Sequence, residues 1–140
     1  MEDRYIECHK KLMELSWRVI GKSRCNLSSL GFAWNQYSIM KALEPGESLT
    51  VSEISTRVHR KISNVTPVVD FLEERGIAER VSDEKDRRVI RVRLTKEGIN
   101  IRQKTIENHN NFLNGLYQSL TEEEMEKFLD VVAIFLDKVR

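Results

Sequence analysis

The chain has two cysteines in 140 residues, Cys8 and Cys25, and no apolar run longer than the six residues from Val131 to Leu136. A bilayer-spanning helix needs about 20 apolar residues, so no membrane-spanning helix is expected. No apolar stretch follows the opening Met-Glu-Asp-Arg, so no secretory leader is expected and the reading is cytoplasmic. Carried on one helix, the two cysteines would stand about 25 Å apart at about 1.5 Å rise per residue. They cannot pair within it, and two scattered thiols fit a reducing compartment.

Catalytic signatures are missing as well. There is no glycine-rich phosphate loop, no nucleophile elbow and no clustered histidine-carboxylate motif, so an enzyme is not expected. His9, His59 and His109 with the two cysteines show no compact ligand spacing, so neither a metal nor a cofactor is expected. Internal repeats and low-complexity segments are also absent.

What is present is 40% apolar and 32% charged residues. That is too hydrophobic for disorder, and the high charge fits long solvated helices. The length suits one domain or two intimate subdomains. A net charge of +1 hides an asymmetry: residues 57–93 carry ten positive and seven negative groups, residues 121–140 three and six. Positive charge gathers mid-chain, as on a local polyanion-binding face.

Periodicity predicts a helix from Tyr5 to about Arg24 with two apolar rows, Ile6, Met13, Trp17, Ile20 and Cys8, Leu12, Leu15, Val19. A surface helix needs one buried stripe, and the second asks for another partner, such as a second copy of the chain. Asn26 to Gly31 reads as a connection and Phe32 to Leu43 as a helix stopped by Glu44-Pro45-Gly46. Thr50-Val51-Ser52-Glu53 reads as a reciprocal capping box that starts a short helix at Val51. A further helix begins near Ser63 with Ile62, Val65, Val69 and Leu72 inward, and stops at Gly76 in a Schellman ending in which Ile77 packs on Leu72.

Beyond Gly76 the period changes to two. Ile77–Val81 and Val89–Leu94 are expected as strands, with Ile90, Val92 and Leu94 inward and a charged hairpin tip between them. Thr95 caps a helix from Lys96 to about Leu120, and Thr121-Glu122-Glu123-Glu124 is a second capping box. The last helix carries Met125, Phe128, Val132, Phe135 and Val139, with Leu129 and Leu136 as a second stripe.

Helix, helix, short helix, tight connection, helix with a glycine stop, then an arginine-rich hairpin is the order of a winged helix-turn-helix. The ordered set Leu49-Thr50-Val51-Ser52-Glu53-Ile54, Ser63-Asn64-Val65-Thr66, Val69 to Arg80, Asp83, Asp86-Arg87-Arg88 and Val92 to Gly98, with Asn35-Gln36-Tyr37 upstream, closely resembles the MarR family of transcriptional regulators. The fold class is therefore mainly α with a small β-wing (α+β), residues 33–98 forming the winged helix-turn-helix and residues 1–32 and 99–140 a helical dimerisation region.

A helix fits the major groove, where Ser63, Asn64 and Thr66 can reach base edges or phosphates and Arg60 and Lys61 the backbone. Lys85, Arg87 and Arg88 at the wing tip are the cations for the minor groove. The resemblance makes Arg87 or Arg88 the inserted arginine and Asp86 the carboxylate that braces the wing. Arg91 and Arg93 fit DNA contact or mere solvation of the strand. Pro67, placed within about the first turn, and Phe71 fall on the groove-facing side, where the family frequently has polar or basic residues.

The resemblance also implies a homodimer on pseudo-palindromic double-stranded DNA, most readily as a repressor, and release by a small, often aromatic, anion. His9, Trp17, Arg18 and Tyr37 are the residues that could line such a pocket, although Trp17 and Tyr37 also fit a packing role. Cys8 invites comparison with the peroxide-sensing branch; a reactive thiol needs a depressed pKa, for which only His9, Lys10 and Lys11 lie near. The rival from another class is a winged-helix protein-interaction module, which would carry acidic groups on the recognition helix.

Overall fold

The computed structural model describes residues 2–140. In chain order it forms α1 (Glu2–Ser29), α2 (Trp34–Ala42), β1 (Ser48–Leu49), α3 (Val51–Val58), α4 (Ile62–Glu74), β2 (Ala78–Ser82), β3 (Ile90–Leu94), α5 (Lys96–Tyr117) and α6 (Glu122–Lys138). A first compact unit ends at His109 and a second begins at Asn110. No helix among the described residues is long and apolar enough to cross a membrane.

In the first unit Leu27, Ile39, Met40, Leu43, Ile54, Val65, Val69, Leu72, Ile77 and Val92 leave solvent together, so α2, α3, α4 and the sheet share one core. The sheet is antiparallel in the order β1-β3-β2, with Arg80 opposite Val92 and Leu49 opposite Val92 on the other side. β1 is too short to show a period of two, and sequence reading missed it.

Several boundaries differ from expectation. α1 continues to Ser29, where a connection was expected from Asn26. Leu27 is fully buried, and the helix closes on Gly31 at φ +94°, with Phe32 N–H on the Leu27 carbonyl at 2.9 Å and Gly31 N–H on that of Ser28 at 3.0 Å. This is a Schellman ending whose serine-rich composition resembled a loop. The same pair of bonds, Ile77 to Leu72 and Gly76 to Glu73, ends α4 as the sequence predicted.

Thr50 accepts from the Glu53 N–H at 3.1 Å, but the return bond is not made: the Glu53 carboxylate faces Arg91 instead. At Thr121 the box is reciprocal, both bonds being 3.1 Å. Ile62 was assigned inward and is 50% exposed, since it opens α4 before the helix reaches the core. Ile90 is likewise exposed, because the hairpin has left the body there. Pro67 is the sixth residue of α4, one residue deeper than a start at Ser63 would put it and past the first turn, so the Ser63 carbonyl lacks its backbone donor.

Phe71 does not face outward. Its ring meets Phe32 edge-on with centroids 6.3 Å apart, and the Arg75 guanidinium lies 5.2 Å from the Phe32 centroid and 5.3 Å from that of Phe71 while donating to the Gly31 carbonyl at 2.7 Å. One arginine thereby ties the end of α4 to the α1–α2 turn. In the second unit α6 buries none of its residues; Leu113, Tyr117, Met125, Phe128 and Leu129 line a groove beside it.

Candidate nucleic-acid interface

α3 and α4 are joined by three residues. His59 takes the left-handed conformation at φ 55°, a conformation that costs a non-glycine residue roughly 1 kcal/mol or more. Its cost is offset by a closed turn in which Arg60 N–H reaches the Ser55 carbonyl at 3.1 Å and the Ser55 hydroxyl donates back to the Arg60 carbonyl. The angle between the helices is thereby set.

α4 has no side-chain cap at Lys61 and no acidic residue in its first turn, so its positive end is open to an anion. Lys61, Ser63, Asn64 and Thr66 are exposed around that end, and the Thr66 hydroxyl donates to the Ile62 carbonyl at 3.1 Å. Arg60 is half-buried and lines, with Arg24, Trp34 and Asn35, an open groove beside the start of α2. Further along α4, Arg80 of β2 holds Asp70 at 2.6 Å and Glu73 at 3.0 Å. Two of the three acids of α4 are thus paired from within the chain.

The wing is organised by two carboxylates. Asp83 accepts from the backbone N–H groups of Lys85 at 3.1 Å and Asp86 at 3.0 Å, and from Arg91 Nε at 2.7 Å. Arg91 also donates to the Ser48 carbonyl at 3.2 Å and lies 3.6 Å from Glu53, so it links wing, β1 and α3. The bond from Arg91 holds the Asp83 carboxyl below the ordinary aspartate value, and that from Arg88 does the same for Asp86. Asp86 accepts from Arg88 at its backbone N–H and at Nε, both at 3.1 Å, and at Nη2 at 3.3 Å.

The hold on Arg88 leaves its side chain 91% exposed. Lys85 and Arg87 are exposed as well, and among the described residues neither side chain makes an ion pair. Arg93 is paired with Glu79 at 2.8 Å. Three cations therefore face solvent at the tip while the strand arginines are engaged internally. The sequence placed Asp83 in the motif set but gave the bracing role to Asp86 alone; the signal for Asp83 is an aspartate at the mouth of the hairpin facing an arginine on the returning strand.

The residues named for an effector pocket are not brought together in the described chain. His9, Trp17 and Arg18 are exposed on α1, Trp17 by 73% and Arg18 paired with Glu14, whereas Tyr37 is 4% exposed. Cys8 is exposed. Tyr37 belongs to a cluster that sequence reading did not find. Its ring meets that of His109 at 5.2 Å, and its buried hydroxyl has no hydrogen-bond partner among the described residues. Burial raises the Tyr37 pKa. Asn26 Oδ1 accepts from His109 Nδ1 at 2.8 Å, which leaves Nε2 to accept from the Ser23 hydroxyl at 3.2 Å. Burial, then Lys41, push the imidazole below its ordinary value, so it is held neutral.

The geometry is that of a helix-turn-helix with a basic wing, and comparison with known proteins agrees. The MarR family model matches residues 32–90. The transcriptional regulator PapX of Escherichia coli is 32% identical over 123 residues, covering 84% of this chain and 75% of that protein. The chain belongs to the MarR family. The crystal structure of YusO from Bacillus subtilis superposes with a TM-score of 0.80 at 27% identity, covering 100% of this chain and 99% of that one. A mutant MarR from Escherichia coli, complexed with operator DNA, matches at TM-score 0.74 and 18% identity over 96% of each chain, a likeness of fold. MarR-family proteins are DNA-binding transcriptional regulators, and this chain is a regulator of that kind and not an enzyme.

Proposed function

We propose that the chain is a cytoplasmic repressor that binds a pseudo-palindromic operator as a homodimer, with α4 in the major groove and the wing tip in the minor groove. The observation that carries it is the division of charge on the wing: Arg91 and Arg93 are engaged by Asp83 and Glu79, while Lys85, Arg87 and Arg88 project unburied. A narrow hairpin with exposed cations suits the negative potential of a narrow minor groove. Arg87, which has no ion pair among the described residues, and Arg88, which Asp86 holds, are the two candidates for insertion. Lys61, Ser63 and Asn64 supply backbone and base contacts, with Arg60 at the margin. The pairing of Asp70 and Glu73 with Arg80 speaks against an acidic protein-docking face.

The second copy is supported by the apolar side chains that α1 and α6 leave in solvent, Tyr5, Ile6, Trp17 and Ile20 on one and Leu129, Val131, Phe135 and Leu136 on the other. Two recognition helices then meet half-sites about 34 Å apart, and a dimer across a promoter occludes it. A small aromatic or anionic effector is supported by the buried Tyr37 hydroxyl, which lacks a partner among the described residues. Binding to duplexes selected from random DNA, titrated with salt, tests the reading. A steep fall in affinity with salt and a dimeric mass by light scattering support it, and a salt-independent or absent gel shift overturns it.

A further inference from the structure

α4 buries Val65, Val68, Val69 and Leu72, so at about 100° per residue its opposite face is centred on Ser63, Pro67, Asp70 and Glu74, with Thr66 along one flank. Pro67 is the apolar member of this face, and Ile62, on the Val69 side of the helix but ahead of the point where α4 enters the core, is a second exposed apolar side chain at its N-terminal end. Ile62 keeps 50% of its surface in water and Pro67 is exposed. Neither packs in the core, and Pro67 also removes a hydrogen bond from its own helix. The polar members are reduced in number by internal bonds: the Thr66 hydroxyl is donated to the Ile62 carbonyl and Asp70 is held by Arg80. Ser63 and Asn64 are left as the free polar groups of the first two turns.

The major groove has one apolar feature on its base edges, the C5 methyl of thymine. We infer that Ile62 and Pro67 read thymine methyl groups, making the half-site thymine-rich where the first two turns of α4 enter. This rests on the proposal that α4 occupies the major groove. It assigns sequence discrimination to the side chains that a hydrogen-bonding view of the helix would pass over.

The test uses the full-length protein and a duplex it selects from random sequence. Replacing thymine by deoxyuridine in the half-sites removes only the methyl groups, leaving pairing and phosphates unchanged. Each methyl read should cost about threefold to tenfold in affinity, whereas the same replacement outside the half-sites, which controls for DNA shape, should cost little. Ile62→Ala should bind thymine and deoxyuridine duplexes more nearly alike. Pro67→Ala should do the same while melting higher, since the helix regains a bond, which establishes that the protein is folded. Equal wild-type affinity for both duplexes, a selected half-site without thymine, or full discrimination retained by both variants would overturn the inference while salt-dependent binding stands. Failure to bind any duplex would instead remove the groove reading beneath it.

Discussion

A Cβ at Gly98 would lie 1.8 Å from the carbonyl oxygen of Ile77 and 2.7 Å from its carbon. The first turn of α5 is thus seated directly on the backbone that leaves the recognition helix. Thr95 closes the same joint, with its N–H on the Ile77 carbonyl at 3.0 Å and its hydroxyl donating to that of Gly76 at 2.6 Å. The start of α5 and the end of α4 meet here backbone to backbone, with no side chain between them.

Gly98→Ala must therefore move main chain against main chain. Overpacking of this kind costs about 1–3 kcal/mol, and here the upper end is expected because the opposing atoms cannot rotate away. Thermal melting should show a lowered midpoint; an unchanged one would mean that the joint opens freely.

The two sets of wing arginines should separate in a salt titration. Arg87→Ala with Arg88→Ala removes cations facing solvent and should flatten the dependence of log affinity on log salt by about one for each phosphate no longer neutralised. Arg91→Ala breaks the link to Asp83 and Ser48. It should weaken binding through loss of wing posture with the slope nearly kept. An equal change of slope in both proteins would assign Arg91 to the DNA.

His109 makes stability depend on pH with a definite sign. Its folded pKa lies below the ordinary 6.5, so as pH falls the unfolded chain takes up the proton first. Stability should be highest above pH 6.5, fall between there and the depressed folded value, and level off below it. His109→Gln, which cannot titrate, should remove this component of the slope in denaturant melts repeated across that window.

Arg75→Lys tests the planar stacking. The guanidinium meets both Phe32 and Phe71 and still reaches the Gly31 carbonyl. An ammonium cannot do all three, so a loss of about 1–2 kcal/mol is expected by urea unfolding. A neutral result would reduce the stacking to surface decoration.

Leu129→Glu together with Leu136→Glu places charge on the exposed apolar face of α6. If the chain pairs through this face, as proposed, light scattering should report a monomer for the variant and a dimer for the unaltered chain, and operator affinity should fall with it because two half-sites are no longer bound together. A dimer that survives both changes would locate the interface elsewhere.

Much of the winged element was legible in sequence because its signals are local. A glycine that must take positive φ, a threonine placed to cap, and strand alternation act within a few residues, and they set the stop at Gly76, the caps at Thr50 and Thr121, and the hairpin around residues 83–88. Family membership was legible for the same reason, as an ordered set of such signals. Tertiary structure decided what depends on distant partners. It turned Phe71 inward onto Phe32, left Ile62 in solvent, gave Arg91 to Asp83 and Ser48, and joined His109 to Ser23 and Asn26. Periodicity fixes which residues share a face of a helix, but the neighbour that covers the face comes from elsewhere in the chain, and only packing shows whether a given side chain is buried, paired or left free for DNA.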